Sequence, residues 1–340
     1  MNERKRVVCF GELLIRLASP GRELLLQTPR LEVNVGGAEA NVAVSLARFG
    51  HDAAVATIVA DNALGRAAVA ELKRYGVDTA NVMPRPGRMG LYFYTAGATL
   101  RPSSVLYDRT GSAFALAPLE AIDWQRVLAG AAWLHVSGIT PALGAAAAAA
   151  CARAVETAVQ LGVAVSFDGN YREQLWNERR AEAPALLRNL LGQARIAFVD
   201  DRDVALILGR EFPDSDGFVR RRDAAAAAFA AFPNLQAIHS TLRDVRGVDH
   251  HELCAATFTR DAELRSKIHR LTGIVDRIGS GDAFAAGILH GQLEGLDDRR
   301  SLELATAAAA LKHSIPGDFN LLGLADIERV LGPRPLDVDR

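Results

Sequence analysis

Short apolar runs alternate along this chain with stretches whose apolar residues recur at helical spacing. Val7-Val8-Cys9-Phe10, closed by Gly11, predicts a buried strand that opens a sheet. Behind Gly36-Gly37, residues 38–50 keep a helical spacing and end on Gly50, which predicts a helix fed by a glycine turn. A strand over 53–59 and a helix over 64–75, stopped by Gly76, continue a βαβα order. The order resumes with Trp133-Leu134-His135-Val136, an alanine-rich helix, a strand over 163–167, a helix around 183–192 and a strand over 196–199. Alternation of this kind implies a parallel sheet covered by helices on both faces. Further β-prone segments at 237–239 and 253–257 precede helices starting near Asp282 and Ser301.

Two stretches break the alternation. Residues 12–35 mix short apolar runs with Pro20, Gly21 and Pro29, and residues 89–117 carry Leu91-Tyr92-Phe93-Tyr94 and Ser104-Val105-Leu106-Tyr107, divided by Gly97 and Pro102. They predict a small β-sheet outside the main layer, a lid over about 12–35 and 85–117. With no internal repeat and no linker, the chain reads as one domain over 1–340. In open parallel sheets ligands bind beyond the carboxyl ends of the strands, so Gly11, Asp168, Asp200 and the loop at Gly279 are directed to one cleft.

The strongest chemical signal is Asp276-Arg277-Ile278-Gly279-Ser280-Gly281-Asp282 followed by an apolar helix. Glycines around a small serine let backbone N–H groups turn inward at a helix start, where an anion binds. An ionised Asp282 repels that anion but accepts a proton from a hydroxyl attacking it. Read locally, capping the helix is the commoner use of such an aspartate. Neither the P-loop pattern nor the full dinucleotide fingerprint is present.

Composition narrows the classes. A net charge of -1, from 39 basic and 40 acidic residues, supplies no global field for nucleic acid or an acidic membrane. Cys9, Cys151 and Cys254 lack zinc-site or disulfide-scaffold spacing and fit a reducing cytoplasm. No apolar run is long enough to suggest a membrane span, and the first residues lead into a strand rather than a signal-peptide core. Arg220-Arg221-Arg222 reads as a solvated face, His250-His251 as a loop, and Trp133 and Phe284 as core.

Gly36-Gly37-Ala38-Glu39-Ala40-Asn41 together with residues 279–287 resembles the two signatures of the PfkB, or ribokinase-like, carbohydrate kinases, and the likeness runs from Val7 to about Ile327. It implies a three-layer α/β/α sandwich with a mostly parallel central sheet and a small β-sheet lid. The segments 137–140, 167–176, 276–282 and 311–320 look like the branch that phosphorylates 2-keto-3-deoxygluconate on its terminal hydroxyl. On that resemblance Asp282 is the base, with Gly279, Ser280 and Gly281 forming the anion hole. Gly36, Gly37, Asn41, Tyr92, Tyr107, Arg109, Ile139, Arg172 and Asp318 fall at substrate positions. Arg109 and Arg172, planar permanent cations, suit a carboxylate. Thr241 and Arg243, in Ser240-Thr241-Leu242-Arg243, fall at the ATP site, with Gly279 and Gly281. Asp200 and Asp203 stand where relatives carry Asn-x-x-Glu near hydrated Mg²⁺. A monovalent cation is a further candidate cofactor.

The expected partners are ATP and a sugar acid, with neither nucleic acid nor membrane, and the exposed lid edges suit a homo-oligomer. Two other readings stay open here. One is the same chemistry on a neutral sugar such as fructose or ribose; the other is a catalytically weak sugar-acid sensor, suggested by the altered 200–203 segment.

Overall fold

The predicted strands pair as the alternation requires. In the computed structural model, which describes residues 5–332, the strands are β1 (Arg6–Phe10), β2 (Leu14–Ala18), β3 (Glu32–Gly36), β4 (Ala53–Ala60), β5 (Asp78–Arg85), β6 (Gly90–Thr95), β7 (Ser104–Asp108), β8 (Ala131–Ser137), β9 (Ala164–Asp168), β10 (Ile196–Phe198), β11 (Ala237–Gly247), β12 (His250–Thr259), β13 (Glu263–Arg265) and β14 (His269–Thr272). Residues 1–4 and 333–340 of the expected domain lie outside the described residues. The large sheet runs β13-β12-β11-β10-β9-β8-β1-β4-β5, with β14 also on β12. From β11 to β5 every pairing is parallel, and only the β12, β13 and β14 edge is antiparallel.

All eight residues of β4 are buried, as a strand covered on both faces must be. The helix Ala145–Gln160 turns Ala147, Ala150, Ala154 and Ala158 inward beside Cys151 and Val155, so its alanines serve close packing. Trp133 and Phe284 are core, and the three cysteines are free and buried. Among the described residues no helix is long and apolar enough to cross a membrane.

Three sequence expectations need correction. His250 and His251 begin β12 rather than lying in a loop. The β11–β12 ladder extends well past the apolar segments, because pairs such as Asp244 with Glu252 and Val245 with His251 continue it. Arg220 and Arg221 are not a solvated face, since they reach Asp201 at 3.0 Å and 3.2 Å; Arg222 alone of the three is exposed. The edge strand β5, Asp-Thr-Ala-Asn-Val-Met-Pro-Arg, was invisible as an apolar run because no residue in it is fully buried.

The second sheet runs β3-β2-β6-β7. β2 is antiparallel to β3 and parallel to β6, and β7 is antiparallel to β6. Arg16 on β2 ties it to the main body through ion pairs of 2.7 Å to Asp276 and 3.2 Å to Asp318, all three side chains being buried.

Candidate active site

The loop before the helix Ser280–Glu294 turns on Gly279, whose φ is 79°, and an added Cβ there would meet the Asp318 carbonyl oxygen at 2.0 Å. Only glycine fits that turn. It leaves the amides of Gly281 and Asp282 at the helix start without a backbone acceptor among the described residues. Gly281 is exposed and Ser280 Oγ accepts from Arg243 Nη2 at 3.4 Å. Arg243, Arg277 and Arg172 crowd this point, and none of them makes an ion pair within 4 Å among the described residues. Withdrawal of Arg243 from bulk water, with the repulsion of Arg277 and Arg172, lowers its pKa. Unpaired amides and mutually repelling guanidinium groups make a site prepared for a polyanion.

Asp282 points from the first turn toward the second glycine motif. Gly37, at φ 144°, lets the chain pass close to Glu12, whose carbonyl oxygen would lie 2.4 Å from an added Cβ. That turn starts the helix Ala38–Arg48 and brings Asn41 Nδ2 to donate to Asp282 Oδ2 at 2.6 Å, across 241 positions of sequence. Asn41 Oδ1 is buried with no protein partner, an acceptor left for a ligand hydroxyl. Burial chiefly raises the Asp282 pKa, to about 7; Glu39 and Asp318 raise it further, while Asn41 and Arg172 oppose them. A carboxylate titrating near neutrality is matched to proton acceptance.

The shift also fixes a sign for stability. Because the folded-state value of about 7 exceeds the ordinary 3.8, the stabilising contribution of Asp282 is complete below about pH 4 and is lost as pH rises through about 7. Asp282→Asn protein is therefore expected to match wild type in thermal midpoint near pH 4 and exceed it by a few degrees near pH 8. Scanning calorimetry of both proteins across that range checks this; parallel pH profiles would refute the shift.

The other expected site residues divide into exposed and committed groups. Tyr92 and Asp318 are buried, and the Tyr92 hydroxyl donates to Asp318 Oδ2 at 2.6 Å. They form a wall held by Arg16. Arg109 is buried with its Nε on Glu12 Oε2 at 2.6 Å, so only its terminal nitrogens remain for a ligand. Arg172 is exposed at the start of the short helix Glu173–Trp176, and its charge reaches Asp168 and Asp282. Gly36 ends β3, Tyr107 is half-buried 6.4 Å from the Tyr92 ring, and Ile139 begins a turn whose amide donates to Ser137 Oγ. Thr241 and Arg243 lie on β11, which runs parallel to β10 toward the Asp282 helix.

Lys312, Arg16 and Glu39 were not singled out by sequence reasoning. Lys312 is fully buried and its Nζ donates to the carbonyl oxygens of Ile315 and Gly317 at 2.9 Å and 2.8 Å. Burial lowers its pKa against the pull of Asp276 and Asp318. It braces the loop whose Asp318 carbonyl covers Gly279. Glu39 Oε1 accepts from Ser137 Oγ at 2.6 Å and Thr140 Oγ1 at 3.2 Å, locking the glycine-turn helix to the end of β8. A charged residue inside a glycine motif was the only sequence signal for Glu39.

On the acidic side, Asp200 accepts hydrogen bonds on both oxygens. It caps the helix Asp201–Leu208 through the amides of Arg202 and Asp203, and its other oxygen takes the Arg202 guanidinium at 3.0 Å. Asp203 returns one oxygen to the Asp200 amide at 3.0 Å. Burial first, then Asp200, raises Asp203 to about 7, and Asp168 is raised by burial and by repulsion from Asp282 and Asp203. Mutually repelling carboxylates at Asp168 and Asp203 fit a hydrated divalent cation, and Asp200, hydrogen-bonded through both oxygens, keeps lone pairs that can reach one only through water. A cleft of about 330 Å³ opens between the loop at 99–103 and the β11–β12 turn, with Arg277 in its wall.

The chain matches the pfkB family carbohydrate kinase model over residues 4–320. It is 31% identical over 336 residues to 2-dehydro-3-deoxygalactonokinase of Haloferax volcanii, covering 98% of this chain and 99% of that protein. It is 28% identical to 2-dehydro-3-deoxygluconokinase of Thermoproteus tenax, over 93% of this chain and 90% of that one. Among solved structures, 2-dehydro-3-deoxygluconokinase of Thermotoga maritima superposes with a TM-score of 0.91 at 37% identity, covering 96% and 99% of the two chains. With both glycine turns, the parallel sheet and the separate small sheet in place, the chain belongs to the pfkB family of carbohydrate kinases and is a sugar kinase.

Proposed function

We infer that the protein transfers the γ-phosphoryl group of ATP to the terminal hydroxyl of 2-keto-3-deoxygluconate, giving the 6-phosphate, with Asp282 as general base. The observation that carries this reading is the Asp282 carboxylate, buried and titrating near 7 beside the unpaired amides of its own helix and three guanidinium groups that make no close ion pair among the described residues.

Asn41 Nδ2 holds Asp282 Oδ2 and leaves Oδ1 for the acceptor hydroxyl, while Asn41 Oδ1 takes a neighbouring sugar hydroxyl. As the hydroxyl oxygen attacks phosphorus, its proton passes to Asp282, the bond to the β-phosphate oxygen breaks and ADP leaves. The amides of Gly281 and Asp282, with Arg243, stabilise charge on the transferred group. Asp168 and Asp203 would hold Mg²⁺, and the ion would supply neutralisation of phosphate charge. Arg172 and the terminal nitrogens of Arg109 clamp the substrate carboxylate. The small sheet acts as a lid that excludes water, and the 3.0 Å pair of Arg22 with Asp249 joins its loop to the β11–β12 turn. Exposed Val33 and Leu106 on its strands suit pairing of protomers through the lid.

The substrate assignment follows the names of the similar proteins and the placement of Arg172. Its test is ADP release against 2-keto-3-deoxygluconate, its galactonate epimer, fructose and ribose. Arg172→Leu is expected to cut kcat/KM for the sugar acids about 10–100-fold and leave the neutral sugars unchanged. Equal loss on acids and neutral sugars, or a wild-type preference for fructose, would overturn the sugar-acid reading in favour of a neutral-sugar kinase.

A further inference from the structure

At the far ends of the two helices that begin at the active site, His51, His290 and Glu294 converge. Asn41 and Asp282 occupy the first turns of Ala38–Arg48 and Ser280–Glu294. His51 follows the end of the first helix, and His290 lies eight residues beyond Asp282, about 12 Å along the helix axis. His290 and Glu294 are four residues apart and so share one helix face. His51 Nε2 lies 2.7 Å from His290 Nδ1, and His51 Nδ1 lies 3.9 Å from Glu294 Oε1. One ligand atom from each of the three side chains falls within 4.8 Å of the others, the only such grouping among the described residues. Both histidines are sheltered, with the Phe49 ring edge-on to His290 at 5.8 Å, whereas Glu294 is exposed and leaves an approach from solvent.

We propose that His51, His290 and Glu294 form a zinc-binding site that joins the carboxyl ends of these two helices. Two imidazole nitrogens and one carboxylate oxygen, with water as fourth ligand, are a donor set that selects Zn²⁺ or a similar late divalent metal over Mg²⁺. Tetrahedral coordination at about 2.0–2.1 Å places ligand nitrogens roughly 3.3 Å apart, so the histidine pair opens by about 0.6 Å to admit the ion. Glu294, being exposed, is free to swing onto it. A cation there also meets the negative ends of two helix dipoles. The site lies apart from Asp168 and Asp203, and its occupation does not depend on the proposed sugar substrate.

The test uses the full chain, stripped of metal and titrated with Zn²⁺ against a chromophoric chelator in excess Mg²⁺, which occupies oxygen-rich sites. One zinc per chain is expected, with a thermal midpoint that rises with zinc concentration. His51→Ala and His290→Ala should each weaken binding more than about tenfold. Glu294→Gln, at an exposed position, should keep the zinc-free thermal midpoint while weakening binding several-fold. Co²⁺ should give four-coordinate visible bands in wild type that His290→Ala abolishes. Absence of stoichiometric binding, or unchanged affinity in a folded His51→Ala/His290→Ala double variant, overturns the site.

Discussion

Asp282→Asn protein is expected to fold and to lose about 10²–10⁴-fold in kcat, with a smaller change in KM for the sugar. Asparagine keeps an oxygen to accept from Asn41 Nδ2, so the 2.6 Å contact that orients the side chain survives. What it lacks is the ability to take up the hydroxyl proton. Coupled ADP release and sugar binding on the same preparation check both halves. A loss below tenfold would overturn the base assignment, and an inactive wild type that still binds the sugar would support a sensor. The pH profile supplies a second readout. The carboxylate is active when ionised, so kcat/KM should rise through about pH 7 in wild type, where burial has brought the Asp282 pKa. A rise centred near pH 4 would contradict that environment.

Arg16→Leu is expected to destabilise the protein by about 3–5 kcal/mol, measured by urea unfolding near neutral pH. The guanidinium pairs with two buried carboxylates, Asp276 at 2.7 Å and Asp318 at 3.2 Å, and stacks 4.2 Å from the Tyr94 ring centre. Leucine replaces its bulk but leaves both carboxylates with Lys312 as their remaining buried cation, and Lys312 is already engaged by Ile315 and Gly317. Both pairs run through the single nitrogen Nη1, so Arg16→Lys, which keeps one charge on a flexible stem, should recover part of the loss. Adding Asp276→Asn and Asp318→Asn to Arg16→Leu should recover part of the loss by removing the stranded charges. A single-variant cost under about 1 kcal/mol would show that the network is not what anchors the small sheet.

The comparison of sequence with structure is uneven in a physically ordered way. Buried parallel strands were legible because they must be apolar on both faces, as β1, β4 and β8 are. The outer half of the β11–β12 hairpin and the edge strand β5 were not, because exposed strands are held by backbone ladders that place little demand on side-chain polarity. In the candidate site, the motifs singled out Asn41, Asp282 and Arg243, and the structure brings Asn41 to Asp282 and Arg243 to Ser280. Arg16 was hidden because its partners, Asp276 and Asp318, come from distant loops and no local pattern marks a buried ion pair. Asp200 was placed near the metal on position alone, and no local pattern showed that it also caps the helix Asp201–Leu208.

By itself the sequence determined the alternating architecture, both glycine turns and the identity of the carboxylate at the helix start, since these follow from local periodicity and from backbone geometry that few residues adopt. Tertiary structure alone decided which ionisable groups are free. Tyr92, Asp318 and Arg109 are chemically fit to hold a sugar acid, yet folding engages each with a buried partner, while Arg172, Arg243 and Arg277 make no close ion pair among the described residues. The energy of a charge depends on what surrounds it in space, and burial with neighbours remote in sequence moves Asp282 from an ordinary carboxylate to a group titrating near 7.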